Sequence, residues 1–260
     1  MKIACTDFTM YKKDNTGWTE ELLRHGVSQL NIAVPNLPER EADREEIITY
    51  ALCRGLNIGL HAPFGVNNIT STDSALRASS IANVKYTIDL SAKFHLGTVT
   101  FHPGRLTTDS DDPEAIWADM MDVVSQIAEY AKEKQVPVGI ENMELRPYEL
   151  VFTVEDLNRF ARLGTDNPYF GVTIDFAHYV TLGKGLPDLK ALKLPIHAVH
   201  LSQVADGKPH LPLTRTDGAV DVAQVCRLLT EYSYDGQVVL EIGPPLWESV
   251  EILKTITATI

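Results

Sequence analysis

Short apolar runs alternate with amphipathic, charge-rich stretches from one end of the chain to the other. The runs are KIACTDF (2–8), VSQLNIAV (27–34), NIGLHAPF (57–64), TVTFHPG (98–104), VPVGIENM (136–143), YFGVTIDFAH (169–178), IHAVHLSQ (196–203) and GQVVLEIG (236–243). They are short, rich in β-branched residues and apolar on both alternations, which predicts strands buried on both faces. Between them lie helical patterns with recognisable ends. TEELLRHG stops at Gly26, and the charged stretch 39–55 forms a second helix. A Ser/Thr/Asn-rich loop leads into a long helix from Asp73 to His95, closed by Gly97. The helix over 111–134 has Asp112 as N-cap and Pro113 at its first position. TVEDLNRFARLG (153–164) reads as one helix, with Thr153 and Asp156 spaced as a capping box. Two further helices are expected at 219–233 and 246–257.

Eight such βα units imply a parallel sheet that closes on itself, an α/β chain folded as a (β/α)8 barrel. A doubly wound open sheet would place a glycine-rich phosphate loop after the first strand, and TDFTMYKKDN is not one. No composition break or linker divides the chain, so residues 1–260 are expected to form a single domain. Two connections exceed what a barrel needs: NMELRPYELVF after the fifth strand and SQVADGKPHLPLTRTDG after the seventh.

The strand ends carry the candidate chemistry. IGLHAPF ends at His61, TVTFHPG at His102, VGIENME at Glu141, GVTIDFAH at Asp175 and His178, IHAVHLS at His200 and QVVLEI at Glu241. A parallel barrel delivers all of these to one edge. Carboxylates following apolar runs must be paired, protonated or metal-bound, because burying a bare charge costs several kcal/mol. Glu141, Asp175 and Glu241 together would repel one another without a cation between them. With His200 they make three hard oxygens and one imidazole, a donor set suited to Mn²⁺, Mg²⁺, Co²⁺ or Zn²⁺. Strand alternation puts His197 and His200 on opposite sides, so His197 is read as structural. His25 and His95, at helix C-termini, are read the same way. Asp175 and His178, three apart at a strand-to-loop transition, can share a cavity. His61 and His102 on adjacent strands could hold a second metal bridged by Glu141, or contact substrate. Lys208 and His210, beyond the seventh strand, are candidates for substrate contacts.

Charge and composition narrow the partners. The net charge of −12 and absence of a Lys/Arg cluster argue against nucleic acid. No apolar run reaches the ~18 residues of a membrane span. Three separated cysteines, Cys5, Cys53 and Cys226, fit a reducing compartment, and MKIACTDF reads as a first strand, so a cytoplasmic protein is expected.

Taken in order, HAPF, FHPG, IEN, DFAH, HLS and LEIG resemble the strand-end motifs of the xylose isomerase-like TIM-barrel superfamily over nearly the whole chain. That group includes sugar isomerases and epimerases and the endonuclease IV DNA-repair enzymes. The resemblance to ketose 3-epimerases implies one metal held by Glu141, Asp175, His200 and Glu241. It also implies proton exchange by the two glutamates and a sugar contact from His178. The resemblance to endonuclease IV implies three zincs, adding His61, His102, His178 and a late Asp-x-His pair. Here that pair reads Lys208-Pro209-His210, and a cation in place of the aspartate should repel the third zinc. Strand two lacks the glutamate common in the sugar enzymes. The function expected is therefore a metal-dependent isomerase or epimerase of a small sugar or polyhydroxy carbonyl compound. The alternatives are a sugar-acid or inosose dehydratase on the same site, or a multi-zinc phosphodiester hydrolase.

Overall fold

The computed structural model describes residues 1–6, 15–35 and 41–260. Eight parallel strands close a barrel: β1 (Lys2–Thr6), β2 (Gln29–Ala33), β3 (Asn57–His61), β4 (Val99–Phe101), β5 (Val138–Glu141), β6 (Phe170–Asp175), β7 (Ile196–Leu201) and, after an intervening hairpin, β10 (Gln237–Leu240). Neighbours in sequence are neighbours in the barrel, and β1 closes it by pairing with both β2 and β10. The helices are α1 (Asn15–Arg24), α2 (Glu41–Cys53), α3 (Ser74–Phe94), α4 (Pro113–Lys134), α5 (Val154–Asn158), α6 (Ala161–Gly164), α7 (Phe176–Val180), α8 (Val222–Glu231) and α9 (Leu246–Thr257). The expected strand residues Asp7 and Phe8, the loop residues before Asn15 and the helix residues Glu39 and Arg40 lie outside the described residues.

Alternation along each strand separates two cores. The outward residues, among them Leu30, Ile58, Leu60, Phe101, Ile140, Val172, Ile174, Val199 and Leu240, pack into one apolar cluster with Ile88, Met120, Ile127 and Leu229 of the helices. The inward residues are small or polar. Thr100 of β4 and Thr173 of β6 hydrogen-bond across the interior at 2.9 Å. They pass over Gly139 of β5, where a Cβ would lie 2.3 Å from Thr173 Oγ1. The strands are thus buried on both faces as expected, but the inner face is hydrogen-bonded rather than apolar. This narrow polar layer is the floor on which the strand-end residues stand.

Several local readings hold. Asp112 caps α4 with Pro113 in the first turn, and both halves of the Thr153/Asp156 capping box form. Others change. The segment expected as one helix over 153–164 is two short ones, and the Asn158 side chain bonds Ala191 O (2.9 Å) and Lys193 N (2.8 Å) instead. Helix α3 stops where expected, but its C-cap is His95, which adopts the left-handed conformation (φ 53°), and not Gly97. The connection after β7 is no open loop: β8 (Gln203–Ala205) and β9 (Lys208–Leu211) fold into an antiparallel hairpin. Register slips between Val172 and Thr173 at the β6/β7 pairing, leaving His197 as the extra residue. Its Nδ1 donates to Val138 O at 3.0 Å, a structural role.

Candidate metal centre

All the strand-end candidates converge at the C-terminal mouth of the barrel. Glu141, Asp175 and His200 are fully buried, and Glu241, His61 and His178 nearly so. The centre of the arrangement is His200, whose Nδ1 lies 2.9 Å from Glu141 Oε1 and 3.1 Å from Glu241 Oε2. These contacts lack hydrogen-bond geometry. His200 Nδ1 and Nε2, Glu141 Oε1 and Asp175 Oδ2 are all buried without a hydrogen-bond partner among the described residues. Ligand atoms of Glu141, Asp175, His200 and Glu241 lie within 4.8 Å of one another. Buried polar atoms that face one another unbonded are costly unless a cation satisfies them. The donor set fits a divalent metal on those grounds.

Glu141 looks two ways. Its Oε1 faces His200, while its Oε2 lies 3.2 Å from Nε2 of both His61 and His102. His61 donates its Nδ1 proton to Ala62 O at 2.7 Å. Its Nε2 hydrogen-bonds Glu141 Oε2 at 3.2 Å, so both ring nitrogens face oxygen acceptors, an arrangement that a proton on each nitrogen or a cation at Nε2 satisfies. A third group forms behind Asp175. His178 Nδ1 donates to Asn142 O at 2.9 Å and His210 Nδ1 to Glu241 O at 3.3 Å, leaving the two Nε2 atoms 3.3 Å apart. Asp175 Oδ2 is 3.6 Å from His178 Nε2. The expectation that DFAH opens a loop is corrected here: Asp175 is the N-cap of α7, and its Oδ1 accepts from His178 N at 2.7 Å. That turn is what folds His178 back over the site. His210 is reached through the hairpin, with a left-handed backbone (φ 62°) and its N–H donated to Ser202 Oγ. Lys208 stands exposed at the hairpin tip, and no described contact joins it to these side chains.

These side chains shift one another's titration strongly. Burial alone would raise the Glu141 carboxyl, but the His200, His102 and His61 rings outweigh it and hold it well below the usual carboxylate range. Glu241 behaves likewise: burial opposes the shift, and His200 draws it down to about 2. Burial pushes Asp175 up, reinforced by Glu141. It would lower His178, yet Asp175, Glu141 and Glu144 carry that ring up to about 9. Burial lowers His102.

Two residues that pattern reading passed over organise the site. The Asn142 amide donates to Asp175 O and accepts from Asp175 N, both at 2.9 Å, tying the end of β5 to that of β6. Its carbonyl also orients His178, so one residue positions two candidate ligands. The signal available was its place directly after Glu141. Glu144, on the loop after β5, sets Oε2 3.5 Å from His178 Nε2 while Oε1 pairs with Arg146 at 2.8 Å.

Comparison with known proteins bears on the fold and the family. Residues 21–256 match the family model described as the xylose isomerase-like TIM barrel. An uncharacterized protein of Methanocaldococcus jannaschii, MJ1188, is 24% identical over 198 residues, 76% of this chain and 71% of that one. Among solved structures, a D-tagatose 3-epimerase-like protein superposes with a TM-score of 0.85 at 22% identity, covering 100% of this chain and 98% of its own. The IolI protein with a bound zinc atom superposes with a TM-score of 0.74 at 17% identity, covering 100% and 97%.

Proposed function

The chain belongs to the xylose isomerase-like TIM barrel family, and on that footing we propose that it is a divalent-metal-dependent isomerase or epimerase of a small sugar or related polyhydroxy carbonyl compound. The observation that carries this reading is the convergence of Glu141 and Glu241 on one imidazole, from strands separated by β6 and β7. Carboxylates set on either side of a reacting carbon can remove a proton from one face and return one to the other. Glu141, Asp175, His200 and Glu241 would hold the ion, which when bound would polarise the substrate carbonyl and offset the charge that develops on it. Likeness to a D-tagatose 3-epimerase-like protein and to a zinc-bound structure supports both halves of the proposal.

The remaining residues have supporting roles in this reading. His178, held by Asn142 O and flanked by Glu144, orients substrate hydroxyls, with His210 opposite it. Lys208 would act only on a part of the substrate that reaches the hairpin tip. His61 and His102 offer a second metal position on Oε2 of Glu141. The test is solvent exchange. Metal-loaded protein incubated in D₂O with a panel of ketoses and inososes should place deuterium next to the carbonyl. Glu141→Gln and Glu241→Gln should each abolish this. A panel with no exchange, from a protein verified to be metal-loaded, would refute it.

One observation favours a second reading. The Asp175, His178 and His210 group gives a third cluster of metal-competent atoms, as a multi-zinc phosphodiester hydrolase would need. Three tightly bound zincs together with cleavage of an abasic-site duplex would decide for it. Loss of water from an inosose or sugar acid in the same panel would instead identify a dehydratase.

A further inference from the structure

Five large hydrophobic side chains are exposed among the described residues, and four of them, Phe64, Val66, Leu145 and Tyr148, lie on the loops that follow β3 and β5 at the barrel mouth. The fifth is Ile260, at the end of the chain. These loops are built, not slack. Asn67 Nδ2 donates to Phe64 O at 3.1 Å, Leu145 N to Thr181 Oγ1 at 2.8 Å, and Leu106 N to Tyr148 O at 2.9 Å. Tyr148 holds a left-handed backbone (φ 74°), which a bulky residue keeps only where its surroundings impose it. Its hydroxyl is tied to Asp109.

The loops that carry the four residues are joined through Arg105 into one crescent at the mouth. Arg105 donates to Gly65 O at 2.8 Å and approaches Glu149 Oε1 at 3.8 Å, and Arg146 bonds the same Glu149 oxygen at 2.8 Å. Gly65 lies between Phe64 and Val66, and Glu149 follows Tyr148, so the arginine and glutamate side chains tie the two apolar loops together. Through Phe64 the crescent reaches the candidate metal centre. The Phe64 ring meets His61 edge-on at 5.2 Å and His102 at 5.8 Å. The wall of the pocket therefore passes from ionic at its floor to apolar at its rim within one side chain.

We propose that the substrate is a sugar carrying an apolar, ring-sized group, and that Phe64, Val66, Leu145 and Tyr148 seat that group while the sugar occupies the metal-binding floor. This rests on the sugar reading above. A free small sugar would lie wholly on the polar floor and leave the crescent unused. A second copy of the chain is a poorer occupant, because stable interfaces bury ~800 Å² per partner and this patch is broken by charged side chains.

The experiment compares methyl and phenyl glycosides of the same keto-sugar, its ketone on a ring carbon that glycosylation leaves free, on metal-loaded protein, by calorimetric binding and by deuterium exchange. The phenyl glycoside should bind about tenfold tighter, as burial of one ring would give. The preference should collapse toward unity in a Val66→Ser/Leu145→Ser double variant, with metal content as the control for folding. Phe64→Trp, which keeps a ring, should retain it. Equal binding of the two glycosides, or a preference that survives the double variant, overturns the proposal. So does wild-type self-association that the double variant abolishes, since the surface would then belong to a second copy. Exchange on the methyl glycoside without phenyl preference would sink this inference alone. Phenyl preference in binding without exchange on either would sink the sugar-isomerase reading instead.

Discussion

Gly139→Ala tests whether the polar floor positions the strand-end ligands. A Cβ at residue 139 would sit 2.3 Å from Thr173 Oγ1, 2.9 Å from Thr173 N and 3.0 Å from Val172 C. The first clash can be relieved by rotating or removing a side chain. The other two are against the backbone of β6 and cannot. Overpacking of this kind costs ~1–3 kcal/mol, and displacing Thr173 adds ~1 kcal/mol for its bond to Thr100. A total of ~3 kcal/mol corresponds to a Tm lower by about 6–12 °C in a chain of this size. Because Glu141 follows two residues later, metal affinity should fall as well. Thr173→Ala alone should cost ~1–2 kcal/mol by leaving the buried Thr100 hydroxyl unpaired. The double variant should be more stable than the sum predicts by ~1 kcal/mol or more, since the worst contact is gone, but should not recover fully. Urea denaturation of the four proteins closes this cycle. If Gly139→Ala matches the parent in stability and metal affinity, or if the two changes are additive, the floor does not act as argued.

Other changes should separate orientation from bulk stability. Asn142→Ala removes the amide that joins β5 to β6 and should weaken metal binding ~10–100-fold, measured by competition with a chelator. Gln135→Gly relieves an exposed left-handed residue (φ 57°) at the end of α4 and should raise stability by ~0.5–1 kcal/mol in urea melts. In metal-free protein the His178 ring has its folded pKa raised to about 9. Its contribution is therefore fully present below the unfolded value of ~6.5 and is lost as pH rises through 9. Metal-free protein should lose up to ~3 kcal/mol relative to His178→Ala between those limits. A flat difference would refute the assignment.

The eight strands and the candidate ligands at their ends were legible because burial and polarity change abruptly there. Glu141, Asp175, His200 and Glu241 each end a short, mostly apolar run, and closing the barrel brings them together. Helix caps at Asp112 and Thr153 were legible because local hydrogen bonds decide them. What pattern reading missed depends on contacts distant in sequence. The inward-facing Gly139, Thr100 and Thr173 become a floor only when β4, β5 and β6 are adjacent. The hairpin that carries His210 inward is set by a pairing of Gln203 with Leu211, which no period in the sequence announces. The stop of α3 at His95 shows a histidine taking the left-handed conformation that a nearby glycine was expected to supply. Lys208 reads in the sequence as a charge that would repel a third metal, yet the hairpin leaves it exposed at the tip.

The most direct measurement is anomalous diffraction from crystals equilibrated with Mn²⁺ or Zn²⁺. The account predicts a peak bounded by Glu141, Asp175, His200 and Glu241, with ligand distances of about 2.0–2.2 Å, and its loss in Glu141→Gln crystals. Anomalous density found only elsewhere, with those four side chains unligated in metal-saturated crystals, would contradict it.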